Sequence, residues 1–345
     1  MPLMDMTFIV MWFGFALAAY SVVGNDVIQT LGTFLTSNEK RVPWYVLWGY
    51  AGSIMLVVLI YGWMQGDIDY GRLDKFVFPE EYAWYYLLPP VVLLMITRLG
   101  IPVSTTFMIL TLFSLAEIPN DLGEMTASIF DTDTKLGGMI KKSLFGYLIA
   151  FVVAILVYLG ISRLTERYFI DHPLRESRRR YWLLAQWATT GFLWSQWLTQ
   201  DLANIYIYLR GGMALDYVGL GVSVLILVGL LGYIFYSKGG AVQDVVRSKT
   251  NTDDIRSATF VDFIYAFLLL VFKGDALGIW GAKLPMSTTW LFVGLLAGRE
   301  IGIRLRLAGR LERGVMKMVA SDFGKIILGL VISVILVFVI KLLAA

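Results

Sequence analysis

Two aspartates stand inside long apolar runs, each set among side-chain amides: Gly24-Asn25-Asp26-Val27-Ile28-Gln29 and Thr199-Gln200-Asp201-Leu202-Ala203-Asn204. An ionised carboxylate in hydrocarbon costs at least a few kcal/mol (about 2.5 or more), so a carboxylate held there marks a functional position. An amide stands one residue before each Asp and another three residues after it. Carboxylate and amide oxygens at this spacing, joined by carbonyls released where a helix unwinds locally, are hard ligands for a small cation such as Na⁺. The plainer role is hydrogen-bonded packing between helices. The duplicated context favours a cation site made of Asn25, Asp26, Gln29, Gln200, Asp201 and Asn204, with Asp26 and Asp201 as the charged Na⁺ ligands.

A second pair of motifs carries hydroxyls. Two apolar stretches, 82–116 and 258–297, are interrupted by Arg98-Leu-Gly-Ile-Pro-Val-Ser-Thr-Thr106 and Lys283-Leu-Pro-Met-Ser-Thr-Thr289. Proline lacks an N–H and turns its predecessor away from the α region, so one helix should end before Pro102 or Pro285 and another begin after it. At such a start, free N–H groups, the positive end of the helix dipole and the hydroxyls of Ser104, Thr105, Thr106, Ser287, Thr288 and Thr289 can hold an anion. An ordinary Ser/Thr cap is the alternative for one copy; two copies meeting at a midplane favour binding. Arg98 and Lys283 precede the tips and are left open between anion binding and hairpin structure.

Composition says what these motifs are embedded in. The chain has 345 residues, 58% apolar and 16% charged, with a mean hydropathy of +0.70. A soluble domain carries about 25% charge. Soluble enzymes, disordered tails and nucleic-acid binders are excluded, and a polytopic membrane protein is expected. With no Cys and the single histidine His172, thiolate metal sites and Ser-His or Cys-His catalysis drop out. The N-terminus lacks a basic n-region and a cleavage site, and reads as a retained first membrane helix.

Apolar runs of about 20 residues, enough to cross roughly 30 Å of hydrocarbon, fall at 7–36, 43–64, 140–163, 181–209, 217–236 and 322–343. The Asp motifs repeat at an offset of 175 residues and the Ser-Thr-Thr motifs at 183, in the same order, which indicates an internal duplication. If both broken stretches re-enter rather than cross, eighteen Lys and Arg lie on one side of the membrane and seven on the other. If one segment of each crossed, the basic runs 163–180 and 299–317 would separate, against the positive-inside rule. The expected fold is therefore an all-α polytopic membrane protein of two inverted-topology repeats, each with three membrane crossings plus one re-entrant helical hairpin. The first repeat is 1–172 with its hairpin at about 82–116; the second is 173–345 with its hairpin at about 258–297. Both termini are then extracytoplasmic and the basic loops cytoplasmic. Residues 301–319 read as an amphipathic helix on the cytoplasmic leaflet, and Lys273 with Asp275 as an ion pair near a hairpin end.

These motifs resemble those of the inorganic phosphate transporter (PiT) family, whose duplicated halves each carry a Gly-Ala-Asn-Asp-Val-Ala-Asn type motif and a later Pro-Val-Ser-Thr-Thr-His type motif. Gly24, Asn25, Asp26, Val27 and Gln29 match the first, followed by Gly32 and Thr33; Gln200, Asp201, Ala203 and Asn204 match its second copy. Residues Pro102 to Thr106 and Pro285 to Thr289 match the hairpin motif, while Phe107 and Trp290 replace the family's His, marking a divergent member. The resemblance implies a secondary active transporter, not an enzyme, that imports inorganic phosphate by cation symport with alternating access around a midplane site. Loss of the His tilts the coupling ion to Na⁺, with H⁺ as the alternative, and no cofactor is expected. The partners implied are phosphate or another tetrahedral oxyanion and the lipid bilayer of the cytoplasmic (inner or plasma) membrane, with no nucleic acid; a homodimer is left open. The competing readings are a sulfate or other oxyanion permease of the same fold, a passive anion channel, and an intramembrane aspartyl protease using Asp26 and Asp201.

Single cysteines introduced into this Cys-free chain report its topology. Tyr70→Cys and His172→Cys should react with an impermeant reagent from opposite sides of the membrane; labelling from the same side would sink the three-crossing arrangement.

Overall fold

The computed structural model describes residues 6–79, 81–99, 103–117, 121–210, 215–238, 254–274, 285–310 and 312–344, and every regular element among them is helical. Pro102, Lys283 and Asp275 lie outside the described residues. The helices are α1 (Met6–Asn38), α2 (Trp44–Met64), α3 (Leu88–Arg98), α4 (Thr105–Leu110), α5 (Leu122–Phe130), α6 (Lys135–Ile161), α7 (Tyr168–Asp171), α8 (Glu176–Asp201), α9 (Ala203–Arg210), α10 (Tyr217–Tyr236), α11 (Ile255–Gly274), α12 (Thr288–Ala308) and α13 (Arg313–Ala344).

Six stretches among the described residues are long and apolar enough to cross a membrane: Met6–Val27, Trp44–Met64, Gly123–Ile161, Tyr217–Tyr236, Ile255–Lys273 and Arg313–Leu342. Five of them overlap expected crossings. The sixth, Ile255–Lys273, is the first arm of the second broken stretch, while the crossing expected at 181–209 falls on α8 and α9. At 26 residues α8 has the length. Its Gln186, Thr190, Thr199, Gln200 and Asp201 lower its hydropathy, and they are tolerated because each is buried against protein.

The two broken stretches differ in length of arm. In the first, the helical arms run over Trp84–Arg98 and Thr105–Ser114, of which α3 and α4 are the α-helical parts; in the second, α11 has 20 residues and α12 has 21. The reason lies at the far end of α12, which starts at a buried Ser-Thr-Thr tip and runs on into Arg299, Glu300, Arg304 and Arg306. The amphipathic helix expected over 301–319 is not one element. α12 stops at Ala308, Gly309 turns the chain in the left-handed region (φ 68°), and α13 starts at Arg313. Ile301 and Gly302 are buried rather than lying on a membrane surface.

Packing repeats across the chain. α1 packs on α3 as α8 packs on α11, α4 packs on α13 as α12 packs on α6, and α2 lies against α10. The α6–α12 pair is the most intimate because Gly294, Gly298 and Gly302 line one face of α12 at four-residue spacing. A Cβ on Gly294 would stand 2.5 Å from the carbonyl oxygen of Tyr147, and one on Gly302 3.0 Å from that of Ile155. One on Gly298 would fall on the carbonyl of Phe151. Small residues at this spacing bring two backbones together, which is how helices associate where burial from water supplies little force.

Gly298→Ala should therefore push α12 off α6 and cost about 1–3 kcal/mol, seen as a lower melting temperature in detergent. Gly221→Ala on α10, where an added Cβ meets nothing within 4 Å, should be neutral or gain about 0.5–1 kcal/mol. Equal melting temperatures for the two variants would contradict this account of the pair.

Candidate functional site

Ser104 and Ser287 open α4 and α12 with extended backbone, and their Oγ atoms accept from the N–H of Phe107 and of Trp290, each at 3.2 Å. The cap expected as the plainer role is thus present at both tips. Each hydroxyl keeps its own proton to donate. The N–H of Ser287 donates in turn to Ser143 Oγ on α6 at 2.9 Å, and Tyr265 of α11 donates to the Thr288 carbonyl at 3.1 Å.

The tips meet each other and both Asp motifs. Thr105 Oγ1 donates to Asp26 Oδ2 at 2.6 Å, and Asn25 Nδ2 reaches both Asp26 Oδ1 (2.6 Å) and the Val103 carbonyl (2.8 Å). Asn204 Nδ2 donates to Asp201 Oδ1 at 2.8 Å, with Thr288 and Thr106 beside the same carboxylate. Side-chain amides then cross between the halves of the chain in matching fashion. Gln29 Nε2 reaches Thr289 Oγ1 at 3.4 Å while Asn204 Nδ2 reaches Thr106 Oγ1 at 3.4 Å and Thr105 Oγ1 at 3.0 Å. Thr106 Oγ1 donates to the Met286 carbonyl and Thr289 Oγ1 to the Val103 carbonyl, both at 3.4 Å. Eleven of the twelve residues expected from sequence stand in one assembly, while the Gln200 amide turns to α11 and donates to the Leu269 carbonyl at 3.0 Å; none of the twelve is more than 5% exposed.

Within it some oxygens are unused. Asn25 Oδ1, Asp201 Oδ2 and Asn204 Oδ1 are buried and accept no hydrogen bond. Idle buried acceptors are costly unless something else binds them, and oxygen atoms of this kind are what a hard cation takes. The backbone contributes less than expected: α1 passes unbroken through Asn25 and Asp26. The second copy is scarcely more open: Leu202, between α8 and α9, stays in the right-handed helical region, its N–H donating to the Leu198 carbonyl at 3.2 Å and its carbonyl accepting from the Tyr206 N–H at 2.9 Å. Arg98 is exposed at the end of α3 and outside the assembly. His172 is exposed and stacks on Tyr168, centroids 4.4 Å apart.

No family model matches the chain, and no curated protein does. A solved structure described as the sodium-dependent phosphate transporter is similar over 98% of this chain and 99% of its own, with a TM-score of 0.57 at 16% identity. The two chains share a fold.

Two buried charged residues near the assembly were not singled out by sequence. Asp262 on α11 accepts from Thr33 Oγ1 and from Thr190 Oγ1, each at 2.7 Å, tying α11 to α1 and α8. The signal was available: a carboxylate alone in an apolar run, as for Asp26. Arg72 is 2% exposed and donates from Nη2 to Gln200 Oε1 at 3.2 Å. It comes from a polar loop that hydropathy assigns to water, and nothing local in the sequence marks it.

Because both serines are caps, Ser104→Ala and Ser287→Ala should each lower stability by about 1 kcal/mol in thermal unfolding. An unchanged melting temperature for both would mean the caps carry no weight.

Proposed function

We propose that this protein is a secondary transporter, not an enzyme, that carries phosphate across the cytoplasmic membrane together with Na⁺. The two inverted repeats, 1–172 and 173–345, would rock about the buried assembly to open it to one side and then the other. Cation binding falls to Asn25, Asp26, Gln29, Gln200, Asp201 and Asn204, and anion binding to the Ser104–Thr106 and Ser287–Thr289 tips. The observation that carries this reading is the buried assembly itself, in which three idle oxygens stand beside hydroxyls from both tips. Oxygens without donors suit a cation, hydroxyls and helix N-termini suit an anion, and placing the two together lets each ligand raise the affinity of the other. The reciprocal Gln29–Thr289 and Asn204–Thr106 contacts support the inverted duplication, since each amide reaches the tip of the opposite half.

Phosphate is favoured over sulfate by one contact. Asp26 shares a 2.6 Å hydrogen bond with Thr105 of the first tip, so an anion at that tip lies near a carboxylate. Protonated phosphate can donate a hydrogen bond to it, whereas sulfate can only accept. The shared fold with a transporter described as sodium-dependent and phosphate-carrying supports the same choice.

Uptake of radiolabelled phosphate and sulfate into proteoliposomes, with a Na⁺ gradient or with choline in its place at fixed pH, tests the proposal. Phosphate uptake should require Na⁺, and Asp26→Asn and Asp201→Asn should each abolish it while the protein remains inserted and folded. Full uptake by both variants would reduce the carboxylates to packing residues. Flux indifferent to the cation would indicate a channel.

A further inference from the structure

The loop after α2 brings a charge into the protein interior. Residues 65–75 form a series of tight turns in which Tyr70 and Gly71 take positive φ (54° and 72°). The turns are held by the Gly71 N–H on Asp67 Oδ1 (2.7 Å), the Leu73 N–H on Asp69 Oδ2 (2.8 Å) and the Tyr70 hydroxyl on the Val58 carbonyl (2.7 Å). Lys273 of α11 lies over the Tyr70 ring, 4.8 Å from its centroid. So braced, the loop turns Arg72 inward until its guanidinium meets Gln200, the neighbour of Asp201.

Among the described residues Arg72 makes that one side-chain hydrogen bond, and its Nε and Nη1 are buried without an acceptor. Asp201 Oδ2 is buried without a donor, although the two groups are close enough to act on each other electrostatically. Idle donors on a buried cation are strongly unfavourable, and so is an idle oxygen on a buried carboxylate. Had the fold selected them as an ion pair, they would satisfy each other. No ion pair joins them, and although the Asp69 carboxylate of the same loop also acts on Arg72, each keeps unused atoms suited to a different ligand: the oxygen to a cation, the guanidinium to an anion. A planar guanidinium fork matches two oxygens of a tetrahedral oxyanion, which a point charge does not.

We propose that Arg72 is a further ligand of the transported oxyanion, a fixed positive charge supplied by the loop 65–75 to complement the uncharged hydroxyl tips. This rests on the transport reading above. It makes the two carboxylates inequivalent: Asp201 shares its surroundings with a resident cation, whereas the charged group acting on Asp26 is Asp201.

The test is equilibrium binding to the purified full-length protein in detergent, with radiolabelled phosphate at saturating Na⁺, and with radiolabelled Na⁺ in the absence of any anion. Arg72→Gln should weaken phosphate binding about ten- to a hundredfold and leave Na⁺ binding unchanged or tighter, because a positive neighbour of Asp201 has gone. Arg72→Lys keeps the charge and loses the fork, and should fall between. Unaltered phosphate affinity in Arg72→Gln overturns the proposal. So does parallel weakening of phosphate and Na⁺ with a lower melting temperature, the result expected if Arg72 merely pins its loop to Gln200. A wild-type protein that binds neither phosphate nor sulfate would instead defeat the transport reading, and this inference with it.

Discussion

Two carboxylates cannot share a dry protein interior unless the structure answers their charge. Asp26 and Asp201 are each about 1% exposed and near enough to repel, and much of the fold is arranged around that constraint. Each receives an amide from a residue close in the chain, Asn25 on α1 or Asn204 on α9, and hydroxyls stand at each from the Ser-Thr-Thr tips. Hydrogen bonds of this kind offset part of the desolvation cost and leave a net demand for positive charge.

The tips bear on the same constraint from the other direction. Helix starts placed against a carboxylate supply N–H groups and a positive dipole end without burying a mobile cation. Their exact seating depends on contacts from elsewhere: Ser143 of α6 holds the Ser287 N–H, and Tyr265 of α11 holds the Thr288 carbonyl. α6 can do this because the glycine face of α12 lets the two backbones nearly touch. A packing motif far from either Asp thereby sets the position of a hydroxyl beside one of them.

The halves match in outline and differ in particulars that fall at the site. The arms of the first broken stretch, Trp84–Arg98 and Thr105–Ser114, are shorter than α11 and α12 of the second. Arg72, from the first half, enters beside the Asp of the second. The two Asp-and-hydroxyl sets are alike in kind but differ in electrostatic surroundings: Arg72 acts on Asp201, while Asp201 acts on Asp26.

Sequence alone determined what short-range rules and one-dimensional patterns can reach. Hydropathy marked the membrane class, a carboxylate out of place marked Asp26 and Asp201, and the repeated order of motifs marked the tips. The caps at Ser104 and Ser287 followed from a Pro two residues before each, because a helix start is settled within a turn of chain. Tertiary structure alone decided that Gln29 reaches the tip of the other half, that Asp262 finds Thr33 and Thr190, and that Gly309 divides a stretch whose periodicity read as one helix. It also decided that Arg72 leaves the water for the interior. These outcomes depend on which faces of distant helices come together and how closely, and no window along the chain contains that distance.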